Sequence, residues 1–482
     1  MHTPSASQAS RGRFHHTRFY LLRSSLSILA LSLCSWSFAQ APQPRPQNPQ
    51  TPQVPQTPQT PQTPQTPQTP QTTPGANNPI PQVPVAQTRL ENLGQMLFTD
   101  RNLSVPAGTA CVSCHTAGTG FASNHGSRTG VPQGSIAGVL GLRNAMSNAY
   151  NSFVPSFSFQ NRPLGVVAVG GHFWDGRADT LALQALGPFL ASAEMNNPSA
   201  ESVVQKVAAA PYANLMRAEF GANIFNNPTL AFQKIGEAIA AYENNPGFQS
   251  FTSKYDAFVQ GKATLAANEL RGMNLFMDTR RANCVSCHSM NPSSKNPRDN
   301  LFTNFAYFAL GVPRNSAIPQ NANPSFFDLG ICGPVRTKPA LTSAVPPNMS
   351  IEDFCGKFRM PSLRNVALRE AYMHNGFFKN LNDVVAFYAT RNADPRRWYG
   401  PSGVANDLPV AYRKNIVSDR APFNRPANAG PVFTAAEGDD IVAFLRTLTD
   451  GYTTLPTTTP TTAVSTTPAA PTTQTVANPF GK

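Results

Sequence analysis

Beyond residue 38 this 482-residue chain has no run of apolar residues long enough to cross a bilayer. Alternating apolar and polar runs of strand length are scarce too. Gly165–Gly170 (GVVAVG) is short, which argues against a large sheet. The basic excess, 38 Lys and Arg against 25 Asp and Glu, does not gather into patches. Scattered cations exclude nucleic acid as the expected partner. Two segments have almost nothing to bury. Residues 41–74 are built from Pro, Gln and Thr, with Q-T-P recurring from Gln56 to Thr72, and the chain from about Thr453 is rich in Thr, Pro and Ala. Both are expected to stay extended and disordered. The globular part is then about residues 88–450, which suits two domains.

The N-terminus carries what the rest lacks. Arg11, Arg13, Arg18 and Arg23 precede the apolar stretch Ser24–Phe38, which is short for a membrane span, and Ala39 closes an S-F-A cleavage pattern. Residues 1–39 read as an export signal, with an uncleaved anchor as the alternative. Cys34 in L-S-L-C would suggest lipidation, but Leu33 is a poor residue before a lipidated Cys. The expectation is a periplasmic chain, free or tethered only at its N-terminus. Without the four signal arginines the formal charge falls from +13 to about +9, which fits a mildly acidic protein partner.

Seven cysteines sort cleanly. Cys34 leaves with the signal; Cys111, Cys114 and His115 form one CVSCH, and Cys284, Cys287 and His288 form another. C-x-x-C-H is the attachment signature of c-type haem. Two thiols within one helical turn can add across the haem vinyl groups, and the adjacent imidazole then reaches the iron as proximal ligand. A redox C-x-x-C or half of a zinc site would not require His directly after both pairs. Two covalently bound haem c groups are therefore expected. Cys332 and Cys355 remain. In an oxidising compartment they most simply pair with each other, two buried free thiols being the alternative.

The haem motifs sit in repeated units. Glu91, Gly94, Leu97 and Phe98 before the first recur as Glu269, Gly272, Leu275 and Phe276 before the second. Apolar residues at helical spacing (Leu90, Leu93, Leu97; Leu270, Met273, Phe276) predict an amphipathic helix in each. Residues 200–218 and 229–242 also read as helical, with Pro198 and Pro228 near their starts. The fold class expected is all-α: two cytochrome-c-like haem domains with long loops, flanked by disordered Pro/Thr/Gln-rich segments. The boundaries are a linker over 40–87, an N-terminal haem domain over 88–260, a C-terminal haem domain over 261–450 and a tail over 451–482.

With both motifs placed, the region from about Leu90 to Leu448 resembles the bacterial dihaem cytochrome c peroxidase family, including its MauG and MbnH branch. Arg143-Asn144, F-W-D-G-R (Phe173–Arg177), Leu183-Gln184-Ala185 with Pro188 and Glu194-Met195, Met360–Val366 and Y-M-H-N-G (Tyr372–Gly376) carry the resemblance in order. It implies a peroxidatic first haem on His115, with Gln184, Pro188 and Glu194 lining its distal pocket. Heterolysis of a bound peroxide needs a proton moved between its oxygens, which a carboxyl in an apolar pocket can do. It also implies Trp174 between the haems, and a calcium ion between the domains held by the Asn144 side chain and the backbone carbonyls of Arg369 and Ala371.

Two departures from the pattern bear on function. Fourteen residues after His374, where electron-relaying peroxidases have Met as distal ligand of the second haem, this chain has Tyr388, as MauG-like proteins do. A phenolate is a harder donor and lowers the iron's potential; the alternative ligands are Met360 and Met373. The loop after the first motif offers only His125 as a distal His, closer to His115 than the pattern has it; it reads as a ligand, a pocket proton donor or, by default, a plain loop histidine. His172 and His374 read as structural or near the haem propionates. The resemblance implies an oxidoreductase that reduces hydrogen peroxide, drawing electrons from a small cytochrome c or cupredoxin, or, as in MauG, from residues of a partner protein. Against identity with MauG, Ala282 stands two residues before the second motif where MauG has its electron-exit Trp. The alternative function is a non-enzymatic dihaem electron-transfer cytochrome.

Overall fold

The computed structural model describes residues 87–453 except 163–164 and 338–344. The expected signal over 1–39, the linker up to residue 86 and the tail beyond 453 lie outside the described residues. Helix α1 (Arg89–Thr99) opens the first half, and α2 (Cys111–Cys114) carries its haem motif. There follow a hairpin of β1 (Ser158–Arg162) and β2 (Gly165–Val169), then α3 (Leu181–Leu190), α4 (Ala200–Ala209), α5 (Ala213–Phe220) and α6 (Pro228–Glu243). The second half has α7 (Lys254–Val259), α8 (Ala267–Met277), a 3-10 turn at Cys284–Ser286, the short strands β3 (Tyr307–Phe308) and β4 (Phe358–Arg359), α9 (Leu381–Thr390), α10 (Pro395–Tyr399) and α11 (Ala435–Arg446). Long loops connect these. No helix among the described residues is long and apolar enough to cross a membrane.

The chain is mostly helical, with one amendment to the all-α expectation. GVVAVG is a true strand, since Gly165–Val169 pairs antiparallel with Ser158–Arg162, and Tyr307–Phe308 pairs with Phe358–Arg359. A second amendment is that residues 200–218 are not one helix. Ala210, Pro211 and Tyr212 separate α4 from α5, because Pro211 has no N–H to bond and its ring would clash with the preceding turn. The start signals fare better: Pro228 is the first residue of α6, with Asn227 accepting from Leu230 N–H as its cap.

The repeated Glu, Gly, Leu and Phe acquire physical roles. Glu91 accepts the Thr88 N–H at 2.7 Å and Glu269 accepts the Ala266 N–H at 2.7 Å, so each closes the start of its helix. Leu97, Phe98, Leu275 and Phe276 are buried. Gly94 and Gly272 let α1 and α8 cross α6 and α11 in close contact: a Cβ on Gly94 would lie 1.9 Å from the Ala238 carbonyl oxygen, and one on Gly272 1.9 Å from that of Asp440. The main apolar clusters follow the same division, one drawn chiefly from Leu93 to Phe248 and one from Tyr255 to Leu448. They are tied together through the buried Asp450, which accepts from Tyr150 of the first and Asn365 of the second; within the second, Arg364 makes a bidentate pair with Asp256. Cys332 and Cys355 form a disulfide.

Gly94→Ala tests the crossing. Alanine favours a helix over glycine by about 1 kcal/mol, yet here it must push two helix backbones apart at a cost of about 1–3 kcal/mol or more. The expected outcome is a lower melting temperature by circular dichroism; a higher one would show that the crossing has slack.

Candidate haem sites and active site

Each CVSCH opens on its own cavity. The first is lined by Cys111, Cys114, His115, Gln184, Pro188, Glu194, Asn144 and Trp174, among others. The second is lined by Cys284, Cys287, His288, Tyr388, Met360, Met373, His374, Arg369 and again Trp174. All four catalytic residues read from the sequence thus face the first cavity, and Trp174 belongs to the walls of both.

The donor sets fit haem. The four motif cysteines are free, although the same chain forms a disulfide elsewhere, and burial pushes their thiols up so that they stay neutral. His115 Nδ1 donates to the Phe121 carbonyl at 2.9 Å, and His288 Nδ1 to the Phe302 carbonyl at 3.0 Å. Both phenylalanines adopt positive φ, 58° and 52°, a costly conformation that turns the carbonyl to the ring. Each imidazole is left with Nε2 for the cavity it lines. Burial keeps both neutral, lowering His288 to about 4 against the opposing pull of the carbonyl, and neutral imidazole is the form that binds iron. Among the described residues no cluster of His, Cys, Asp and Glu could hold a bare metal ion. Arg369, half-buried on the second cavity, donates to the Ala145 carbonyl and leaves its buried Nε without a partner. Arg359, buried on the first, donates to the Phe173 carbonyl. Neither has a carboxylate counter-ion among the described residues, as suits the neighbourhood of haem propionates.

The distal walls repeat with an offset of 200 residues. His172 and Ala178 form an isolated bridge, as do Tyr372 and Phe378. Phe173 and Met373 have φ of 65° and 67°, Gly176 and Gly376 of 68° and 63°. Thr180 caps α3 and Asn380 caps α9. On this register Trp174 corresponds to His374, Gln184 to Val384 and Pro188 to Tyr388. One helix position therefore presents a ring without a donor atom to the first cavity and a phenol to the second. Burial pushes the Tyr388 phenol up, its ring packs on Phe423, and its hydroxyl makes no hydrogen bond among the described residues. Met360 and Met373 line the same cavity.

Glu194 follows α3 in a turn whose backbone is fixed at both ends: its N–H donates to Ala191 at 2.9 Å and its carbonyl accepts from Ser135 at 2.7 Å. Gly134 permits that approach, since a Cβ there would lie 2.3 Å from the Ala193 oxygen. Burial raises the Glu194 carboxyl, with Arg177 opposing, and the carboxyl has no hydrogen-bond partner among the described residues. Trp174 is 6% exposed. Its Nε1 donates to the Asn144 carbonyl at 2.7 Å, and the His374 ring stands edge-on to it at 6.5 Å while stacking on Phe358 at 3.6 Å.

The remaining positions divide. Asn144 and Ala371 do come together, the amide Nδ2 donating to the carbonyls of Ala371 at 2.9 Å and Met373 at 3.2 Å; Met373 is a partner the sequence did not indicate. His125 is held to the Gln133 carbonyl at 2.8 Å and does not line the first cavity. His172 is buried with Nδ1 unpartnered and lines neither cavity, whereas His374 lines the second and lies 3.4 Å from Asp407. Ala282 is buried at 1% exposure. Glu243, unnoticed in the sequence, also lines the first cavity. Aligning A-I-A-A-Y-E (Ala238–Glu243) with D-I-V-A-F-L (Asp440–Leu445) would have exposed it.

Comparison with known proteins finds relatives of the whole described region. A family model described as di-haem cytochrome c peroxidase matches residues 88–264. The methylamine utilization protein MauG of Paracoccus denitrificans is 31% identical over 379 residues, covering 76% of this chain and 89% of that protein. The cytochrome c551 peroxidase of Nitrosomonas europaea is 26% identical over 354 residues, covering 72% and 86%. Among solved structures, the diheme peroxidase BthA from Burkholderia thailandensis is 40% identical with a TM-score of 0.70, covering 76% of this chain and 86% of that one.

Proposed function

This chain belongs to the MauG-like di-haem cytochrome c peroxidase family and is a peroxidase-like oxidoreductase, and we propose that it is an exported enzyme reducing hydrogen peroxide in its first cavity. The observation that carries this reading is the meeting of Glu194, Gln184 and Pro188 over His115 in one cavity whose wall includes Trp174. A haem c attached at Cys111, Cys114 and His115 would supply the iron that binds and reduces peroxide; a second, at Cys284, Cys287 and His288, would supply another redox centre. Pro188 offers no ligand atom and leaves room for the substrate. Glu194, with its carboxyl raised by burial, takes the proton from one peroxide oxygen and returns it to the other. Two electrons and two further protons complete the conversion of hydrogen peroxide to two waters. Trp174, on the walls of both cavities, is the route proposed for the electrons.

The electrons come from outside the chain: from a small cytochrome c or cupredoxin, or from residues of a partner protein. Tyr388 favours the second source. As a ligand of the second iron it would stabilise oxidised states, which suits holding oxidising power more than accepting electrons from a high-potential donor. Ala282, small and buried, offers no aromatic surface exit, so a quinone-forming role is not part of the proposal. The peroxidases among the relatives weigh against a purely non-enzymatic carrier. A calcium ion is proposed at Asn144 with the carbonyls of Arg369 and Ala371; it requires the amide to present Oδ1 where Nδ2 now donates.

Three outcomes are expected. Glu194→Gln should slow the reaction of the oxidised protein with peroxide by about 10²–10⁴-fold in stopped flow while leaving the resting absorption spectrum in place; an unchanged rate would remove Glu194 from the chemistry. Tyr388→Met should raise the potential of the second haem and change its EPR signal. If both stay as in the parent protein, Met360 or Met373 is the ligand. Elemental analysis of the purified protein should find one calcium per chain, and EGTA should remove it and lower the melting temperature; calcium-free protein of full stability would dispose of the site.

A further inference from the structure

The repeat leaves one position chemically unmatched. Gly94 crosses at Ala238 as Gly272 crosses at Asp440, so Ile239 corresponds to Ile441, Tyr242 to Phe444 and Glu243 to Leu445. Glu243 and Leu445 line the first and second cavities respectively. Leu445 is an ordinary apolar wall. Glu243 is 3% exposed and has no salt bridge among the described residues. Its Oε1 accepts from Asn148 Nδ2 at 2.7 Å and its Oε2 has no partner. A carboxyl buried this way costs stability that neither packing nor an ion pair returns, while the equivalent position of the other half holds a leucine.

Asn148 connects that acid to the proximal ligand. Its backbone N–H donates at 3.3 Å to the Phe121 carbonyl, the same oxygen that accepts from His115 Nδ1. The path is thus Glu243, Asn148, Phe121, His115. In the second half His288 makes the matching bond to Phe302, but Leu445 has no atom with which to hold a neighbour.

We propose that Glu243 is a positioning residue of the first haem site: by anchoring Asn148 it holds the Phe121 carbonyl against His115 Nδ1, and so sets how much electron density the proximal imidazole gives the iron. The proposal rests on His115 being the proximal ligand, as in the function proposed above, and not on what the first haem does with peroxide. Burial pushes Glu243 up to about 8 against the pull of the Asn148 bond, so near neutrality Oε1 accepts largely as the carbonyl of a neutral acid and brings little charge to the site. A proximal histidine with a firm Nδ1 hydrogen bond is the more basic ligand and favours oxidised iron. Among the described residues this support is found in the first half and not the second, so it would separate the two haems even though their attachment sequences are identical.

The test uses the holoprotein, first shown by pyridine haemochrome assay to carry two haems. Spectroelectrochemical titration and EPR then compare the parent with Glu243→Leu, which transplants the residue of the second half, and with Glu243→Gln, which keeps an acceptor for Asn148. Glu243→Leu should raise the potential of the first haem by about tenfold in its reduction equilibrium, about 59 mV for one electron, and alter its ferric EPR signal, with the second haem unchanged. Glu243→Gln should restore most of the parent behaviour. Asn148→Ala should reproduce the leucine variant, and serves in its place if that variant does not fold. First-haem potentials and EPR signals equal to the parent's in Glu243→Leu or Asn148→Ala, with both haems attached, would overturn the proposal and leave the peroxidase reading standing. A parent protein whose first iron is not bound by His115 would instead overturn the reading beneath it.

Discussion

Two helix crossings, each possible only because a glycine lets one backbone touch another, set the frame for everything else in this molecule. Gly94 and Gly272 bring α1 against α6 and α8 against α11 with no room for a side chain between them. A crossing that close fixes which residues of α6 and α11 reach the cavities: Ile239 and Glu243 in one half, Ile441 and Leu445 in the other. It also fixes where the chain after each first helix emerges, and that chain is the CVSCH segment. Van der Waals contact between backbones tolerates little adjustment, so the cradle is rigid before any cofactor chemistry begins.

On this frame function follows from a few exchanges between equivalent positions. The 200-residue offset equates Pro188 with Tyr388, so one helix position sets a ring without a donor atom on the first cavity and a phenol on the second. The same offset equates Trp174 with His374, and these two rings lie edge-to-face. Glu194 belongs to a turn fixed by Ala191 and Ser135. Thus two identical CVSCH segments open on cavities that are not identical. They differ at Pro188 and Tyr388 and, on the proposal made above, through Glu243 behind His115.

Much of this was legible in the sequence because its signals are local. The spacing within CVSCH and the recurrence of Glu, Gly, Leu and Phe before it are properties of one turn or one helix. The Cys332–Cys355 disulfide followed from elimination, and the grouping of Gln184, Pro188 and Glu194 on one cavity from the order of the family's motifs; Asn144 was read only as a calcium ligand, and its donation to the Ala371 and Met373 carbonyls was not legible. What escaped has physical causes. Residues 200–218 keep helical periodicity across Pro211, which periodicity alone does not penalise. The hairpin of β1 and β2 needs a partner strand, Ser158–Arg162, whose polar sequence SFQNR carries no strand pattern. Glu243 lies in a helix whose apolar face reads as ordinary core, and a lone acid at a helix end is usually solvated. Its side-chain partner, Asn148, lies 95 residues away, and no local pattern reports that.

The placing of Trp174 shows how such long-range terms combine. The next residue, Asp175, is fully buried and pairs with both Arg143 and Arg177; Arg143 in turn holds Asp328. Burial alone would raise the Asp175 carboxyl, but the two guanidiniums outweigh it and hold the group below its usual range. Buried ion pairs of this kind give little net stability, because desolvation consumes most of the attraction. Their effect is directional: moving Asp175 would strand a charge, so the backbone of Phe173–Gly176 has one acceptable position. The equivalent residue of the second half, Asn375, is anchored by neutral donation to the Pro313 carbonyl as well as by Asp407. A charged clamp stands where a tryptophan must face both cavities, and a largely neutral one where a histidine lines only the second. The costlier interaction is found at the position whose geometry both sites share.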